Sequence, residues 1–252
     1  MDEQPGDGQW LHPKHRKYKE SIVFIHHFGG NKSSLFAYAR LVNDLGFSAL
    51  IFTQSHHVRN LSSLHFLTST ASAILSPRGY PGLWKSDLKK QLRTTSDDLI
   101  FYSFSSPSMI VPSLISNKRN KAKAWICDGG PFSHFEQCFN NYFTRYLKVS
   151  NPTMVKALYL TTYLSWNKWS LDKNLQRELS ALPKNFPVLS LKGCKDLLVP
   201  PEFIDEVFKD HNHLDITSVN LEKSGHLNGL MMEKEAYRGA VKEFLQTVAT
   251  PL

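Results

Sequence analysis

Apolar residues along this chain gather in short, unbroken runs, and the stretches between them repeat at helical spacing. Ser21–His26, Phe47–Thr53, Leu99–Phe104, Lys123–Asp128 and Phe186–Lys192 are rich in β-branched and aromatic residues over the length of a buried strand. Asp215–Leu221 is a sixth such segment. Between them, Leu35, Tyr38, Val42 and Leu45 mark one helical face, stopped by Gly46. Leu83, Trp84, Leu88 and Leu92 mark another, Pro201–Phe208 a third, and Ala236, Tyr237, Ala240, Val241, Phe244 and Val248 a closing amphipathic helix. Residues 54–96 are less regular, with turn chemistry at Pro77–Gly82. Residues 133–182 hold no convincing strand. There Phe135, Phe139, Tyr142, Phe143 and Tyr146 recur at helical spacing, followed by Leu158, Tyr159, Tyr163, Trp166 and Trp169.

Alternation of this kind predicts an α/β fold, a mostly parallel six-stranded sheet with helices on both faces. The expected division is a core of residues 21–132 and 183–252, a small helical cap inserted at 133–182, and an N-terminal extension at 1–20 that is polar and either loose or laid along the surface. No internal repeat is present.

Composition changes this picture little. With 252 residues, 41% of them hydrophobic, the chain can bury one sizeable core. A net charge of +8 permits attraction to anions, but Lys and Arg are scattered. The densest run, Lys118–Lys123, falls where a solvated helix-to-strand loop is expected, so no nucleic-acid partner is predicted. Cys127, Cys138 and Cys194 are too few and too irregular for a disulfide framework or a zinc site; reduced thiols in a cytoplasmic protein are the expectation. The acidic, turn-rich N-terminus is no secretory signal, and Leu99–Asn117 carries too many serines and prolines for a membrane span. The pairs His26-His27 and His56-His57 are adjacent residues that cannot readily chelate together, so no metal and no cofactor are expected.

Candidate chemistry lies where strands end. Ser105 follows the run Leu99–Phe104 at once and precedes a segment able to start a helix. A serine at such a turn is lifted out of the sheet, beside helix N–H groups able to hold an oxyanion. Ser103 and Ser106 are its neighbours and rivals. Asp196 and His226 also follow strands, and loops at the carboxyl ends of a parallel sheet gather in one place. Asp128, at another strand end, is a rival to Asp196, whereas Asp215 lies at the wrong end of its strand.

The order serine, acid, histidine resembles that of the α/β-hydrolase family. His26-His27-Phe28-Gly29-Gly30-Asn31 resembles its HGFGG-type oxyanion loop. Pro187–Gly193 with Asp196–Pro200 resembles its acid-bearing strand and turn. Ser224-Gly225-His226, thirty residues after Asp196, resembles its histidine loop. The resemblance covers about Ser21–Ala249. Two departures stand out. The family's G-x-S-x-G elbow is here Ser103-Phe104-Ser105-Ser106-Pro107, and His27 replaces a glycine. Pro112 would cost a continuing helix about 3 kcal/mol, so the helix after Ser105 should be short or kinked.

The resemblance implies a serine hydrolase of a carboxylic ester or thioester, with Ser105 as nucleophile, His226 as base and Asp196 orienting the histidine. It implies an oxyanion hole from the N–H groups of Phe28 and Ser106, and a small-molecule substrate with an apolar acyl group. Transfer of the acyl group to an acceptor other than water, and a hydrolase-like protein that only binds a ligand or partner, are the alternatives.

Overall fold

The computed structural model describes residues 8–54, 64–76, 78–93, 95, 98–117 and 121–252, with residues 64–69 described as backbone alone. His56, His57 and residues 118–120 of the basic run lie outside the described residues. Seven strands form one sheet in the order β1-β3-β2-β4-β5-β6-β7. They are β1 (Gln9–Leu11), β2 (Ser21–Ile25), β3 (Ser48–Ile51), β4 (Leu99–Phe104), β5 (Ala122–Asp128), β6 (Pro187–Gly193) and β7 (Asp215–Leu221). Strands β2 to β7 are parallel; only β1 is antiparallel, against β3.

The seventh strand corrects the sequence expectation of six. Within the extension expected to be loose or laid along the surface, Gln9, Trp10 and Leu11 pair with Ile51, Leu50 and Ala49. Three residues are too few to display a period, so this edge strand leaves no pattern in the sequence. Tyr18 continues the attachment, its ring stacked 4.2 Å from that of Phe47.

Strands β2, β3 and β4 are buried throughout, as their largely apolar sequences, broken only by Ser21, Ser48 and Ser103, require when both sheet faces are covered. Successive residues point to opposite faces and divide the core in two. Val23, Ile25, Phe101, Trp125 and Val188 face helices α3 (Gly79–Leu92), α4 (Val111–Ile115), α7 (Lys168–Ser180) and α8 (Pro201–Phe208). Ile22, Phe24, Ile100, Tyr102 and Leu189 face α1 (Phe36–Leu45) and α10 (Lys234–Val248). Helix α2 (Leu64–Leu75) fills part of the irregular region before α3.

Between β5 and β6 the chain forms α5 (Phe135–Asn141), a π-helical turn (Tyr142–Tyr146), α6 (Pro152–Ser165) and then α7. A short helix, α9 (Gly229–Met232), precedes α10. After β4 a 3-10 turn (Ser106–Ile110) passes into the five-residue α4. Pro107 and Pro112 each fall in the first two positions of their own turn, where a missing N–H has no acceptor to lose. The helix after Ser105 is thus broken in two rather than strained at Pro112.

Candidate active site

Chain order reverses beside β2: β3 lies on one side of it and β4 on the other. At such a switch point the loops after the two neighbouring strands diverge and leave a crevice. The loop after β2 carries His26, His27 and Phe28, and the one after β4 carries Ser105, with Ile25 level with Ser103 across the strand pair. Both segments line a cavity of about 690 Å³.

Ser105 has φ 56° and ψ −141°, a backbone conformation that L-residues rarely adopt and that costs roughly 1–3 kcal/mol. Neighbours hold it there. Its N–H donates to the Asp128 carbonyl at 2.8 Å, and its own carbonyl lies against Gly130, where a Cβ would sit 2.5 Å away. The close packing expected from elbow glycines at 103 and 107 is thus supplied by a glycine just after the next strand. Ser103 is occupied elsewhere: it accepts from the Trp125 indole at 2.8 Å and donates to Ser108 at 2.9 Å.

His226 Nε2 lies 3.0 Å from Ser105 Oγ, and His226 Nδ1 lies 2.6 Å from Asp196 Oδ2. The other oxygen of Asp196 accepts the N–H groups of Leu198 and Val199 at 2.8 and 2.9 Å, which fixes the carboxylate in its turn. Gly193 lets the acid strand approach the histidine loop, since a Cβ there would meet the Gly225 carbonyl at 2.4 Å. The rival acid, Asp128, does not bond to His226; its carboxylate accepts from the Tyr237 hydroxyl at 2.6 Å. Burial raises Asp128 to a pKa of about 6, although Tyr237 and His226 both favour its ionised form.

Residues that the sequence reading left without a role complete the loop after β2. His26 Nδ1 lies 2.8 Å from the His27 carbonyl, and its Nε2 accepts the Gln54 N–H at 3.0 Å. An Nε2 that accepts leaves the proton on Nδ1, so Nδ1 donates to that carbonyl. Gly30 N–H donates to the same carbonyl at 2.9 Å. In a trans peptide the N–H points opposite to the C=O, so this clamp fixes the direction of the Phe28 N–H. The Phe28 ring is anchored among Tyr80, Trp84, Phe139 and Trp166, at centroid distances of 5.6 to 6.5 Å. Ser106, at the start of the 3-10 turn, has an N–H with no intrahelical acceptor. Burial, and then the nearby His226, lower the pKa of His27 to about 4, so its imidazole is neutral at pH 7. The remaining wall is mostly apolar, with Phe132, Phe139, Tyr142, Leu197, Leu198 and Val199. Among the described residues no three His, Cys, Asp or Glu side chains cluster as a metal site, and no helix is long and apolar enough to cross a membrane.

No protein-family model and no curated protein sequence matches the chain. Solved structures do. An esterase of Pyrococcus furiosus superposes with a TM-score of 0.64 at 13% identity, over 96% of this chain and 86% of the other. A monoacylglycerol lipase of Paleococcus ferrophilus superposes with a TM-score of 0.62 at 14% identity, over 96% and 99%. A hydrolase from Oleispira antarctica does so with a TM-score of 0.64 at 12% identity, over 96% and 95%. With a mostly parallel sheet whose strand order reverses beside β2 and with these superpositions, the chain has the fold of the α/β-hydrolases.

Proposed function

We propose that this protein is a serine hydrolase that cleaves a carboxylic ester or thioester bearing an apolar acyl group of short to medium length. The observation that carries the reading is the pair of hydrogen bonds made by His226, one to Ser105 and one to Asp196. The esterase and lipase among its structural relatives support ester chemistry.

In this mechanism Ser105 Oγ attacks the acyl carbonyl while His226 Nε2 takes the hydroxyl proton. Asp196 holds the imidazole with Nδ1 protonated and stabilises the imidazolium. The carbonyl oxygen gains the negative charge and is met by the N–H groups of Phe28 and Ser106; losing one such donor costs about 3 kcal/mol. As the acyl carbon's bond to the leaving oxygen or sulfur breaks, His226 returns its proton to that atom. Water then attacks the acyl-enzyme, giving a proton to His226, and the carboxylic acid departs as the Ser105 hydroxyl is restored.

Within the 133–182 segment α5, the π-helical turn and α6 act here as a cap, with Phe139 and Tyr142 lining the acyl pocket, while α7 packs on the sheet face. The three free cysteines fit a cytoplasmic setting.

The test is labelling with a fluorophosphonate probe, followed by p-nitrophenyl esters from acetate to decanoate. Labelling and hydrolysis should both vanish in Ser105→Ala and His226→Ala. Labelling that survives Ser105→Ala would move the nucleophile to another serine. A folded wild type that neither labels nor hydrolyses would leave a ligand-binding protein.

A further inference from the structure

Helix α6 is apolar on nearly every side. Leu158 and Tyr159 pack inward against the core, yet Met154, Leu160 and Leu164 on other sides are 56, 58 and 37% exposed. Its only charge is Lys156. A surface helix of a soluble domain ordinarily turns a polar face to water. The exposed apolar character extends to its neighbours. Ile74 and Leu75 protrude at the end of α2, which packs against α6, and Trp169 protrudes from the first turn of α7 with its ring against Tyr163.

Charge on this segment has one sign. From residue 137 to 171 the sequence holds Arg145, Lys148, Lys156 and Lys168 and no Asp or Glu. Lys168 pairs with Asp172; the other three are exposed and have no carboxylate partner among the described residues. Glu136, just before this stretch, faces Tyr159.

We propose that this face rests on an anionic lipid surface. Exposed aliphatic side chains, a Trp and Tyr residues at the boundary, and lysines without acids are what a helix lying in a membrane interface requires. At 14 residues α6 is too short to span a bilayer, so it lies along one. A second copy of the chain would bring the same cations together, whereas a leaflet containing anionic lipid neutralises them. The placement has a consequence for access. Tyr146, 65% exposed, ends the π-helical turn that packs against α6, and it also lines the cavity beside Ser105. An apolar chain leaving the interface would therefore pass from lipid into the cavity without crossing open water.

The test is flotation of the full chain with phosphatidylcholine vesicles made with or without phosphatidylserine. Wild type should float with the phosphatidylserine vesicles, less so as salt is raised, and poorly with phosphatidylcholine alone. Each lysine near an anionic surface is worth about a fivefold change in binding, so Lys148→Glu with Lys156→Glu should weaken retention by at least about tenfold. Leu160→Ser with Leu164→Ser should also release the protein, and thermal melts establish that both variants are folded. Ser105→Ala should float as wild type does, so a failed hydrolase reading leaves this one standing. Absence of flotation, equal retention on both vesicles, or retention unaffected by either double substitution would overturn the proposal. So would a wild-type dimer in sedimentation that Leu160→Ser with Leu164→Ser dissociates.

Discussion

Tyr237 donates its hydroxyl to the Asp128 carboxylate at 2.6 Å and is itself hydrogen-bonded to Tyr102, so a helix on one sheet face is tied to the ends of two central strands. Asp128 lies one residue before Gly129, whose backbone packs under the His226 ring. All three side chains are buried, and burial pushes both phenols well above the usual tyrosine range. The network is therefore neutral apart from Asp128, whose pKa is raised from 3.8 to about 6.

That shift has a sign. Below the ordinary carboxylate pKa both the folded and the unfolded chain hold the proton. As pH rises towards 6 the unfolded chain gives it up first, so the contribution of Asp128 to stability falls until the folded group ionises too. Asp128→Asn has no proton to lose and can still accept from Tyr237. Its stability relative to wild type should rise between about pH 4 and pH 6, by up to about 3 kcal/mol, and level off above. Urea denaturation of both proteins across that range measures it; a difference independent of pH would mean that Asp128 is not buried as an acid.

Gly130 and Gly239 make opposite predictions for the same substitution. A Cβ at Gly130 would lie 2.5 Å from the Ser105 carbonyl oxygen, which is backbone and cannot swing aside. Gly130→Ala should destabilise the fold by about 2 kcal/mol or more and abolish probe labelling of Ser105 by displacing the turn. Gly239 lies inside α10 with nothing within 4 Å of its would-be Cβ. Gly239→Ala should raise stability by about 0.5–1 kcal/mol and leave labelling unchanged. Thermal melts and labelling of the two variants separate these cases.

Much of the framework was legible in the sequence because buried parallel strands have a distinctive pattern. Ile22–Ile25 is apolar without interruption and Leu99–Phe104 is interrupted only by Ser103, and no amphipathic alternative accommodates them. The candidates Ser105, Asp196 and His226 could be picked out because each follows a strand, and the topology brings strand ends together. What escaped was of two kinds. The edge strand Gln9–Leu11 is too short to carry a period, and Trp10 is only partly buried against the core. The supports of the site are pairwise close approaches between distant segments, such as Gly130 on Ser105 and Gly193 on Gly225, which no local spacing encodes. His26 was visible as the first residue of the oxyanion-loop motif and as half of an adjacent histidine pair, but its bond to the Gln54 N–H, which joins the segments just after β2 and β3, was not.

His26 should act through the peptide it clamps. With the imidazole removed, the His27 carbonyl keeps only its bond from Gly30, and the Phe28 N–H loses its fixed direction. The proposed oxyanion donor matters only once the carbonyl oxygen becomes charged. His26→Ala should therefore lower kcat by about 10- to 100-fold while KM stays within about twofold. His26→Asn, which retains a donor on a shorter arm, should recover part of the loss. Steady-state kinetics on the best p-nitrophenyl ester measures both, and a change confined to KM would assign His26 to substrate binding instead.

His27 occupies a position where a glycine would leave the cavity wider, and its ring packs over Gly30 with imidazole atoms about 3 Å from where a Cβ would be. Burial and the neighbouring His226 hold it neutral down to about pH 4. A charged imidazolium here would oppose the positive charge that His226 must acquire during the reaction, so the low pKa of His27 protects the base. Two outcomes follow. Any acid limb of the activity profile above about pH 4 should persist unchanged in His27→Gln, because His27 is already neutral there. His27→Lys, which places a charge in the same wall, should lower kcat by opposing the positive charge that forms on His226 during the reaction. A limb that disappears in His27→Gln would instead make His27 the titrating group, and the proton transfer assigned to His226 would have to be reassigned to it.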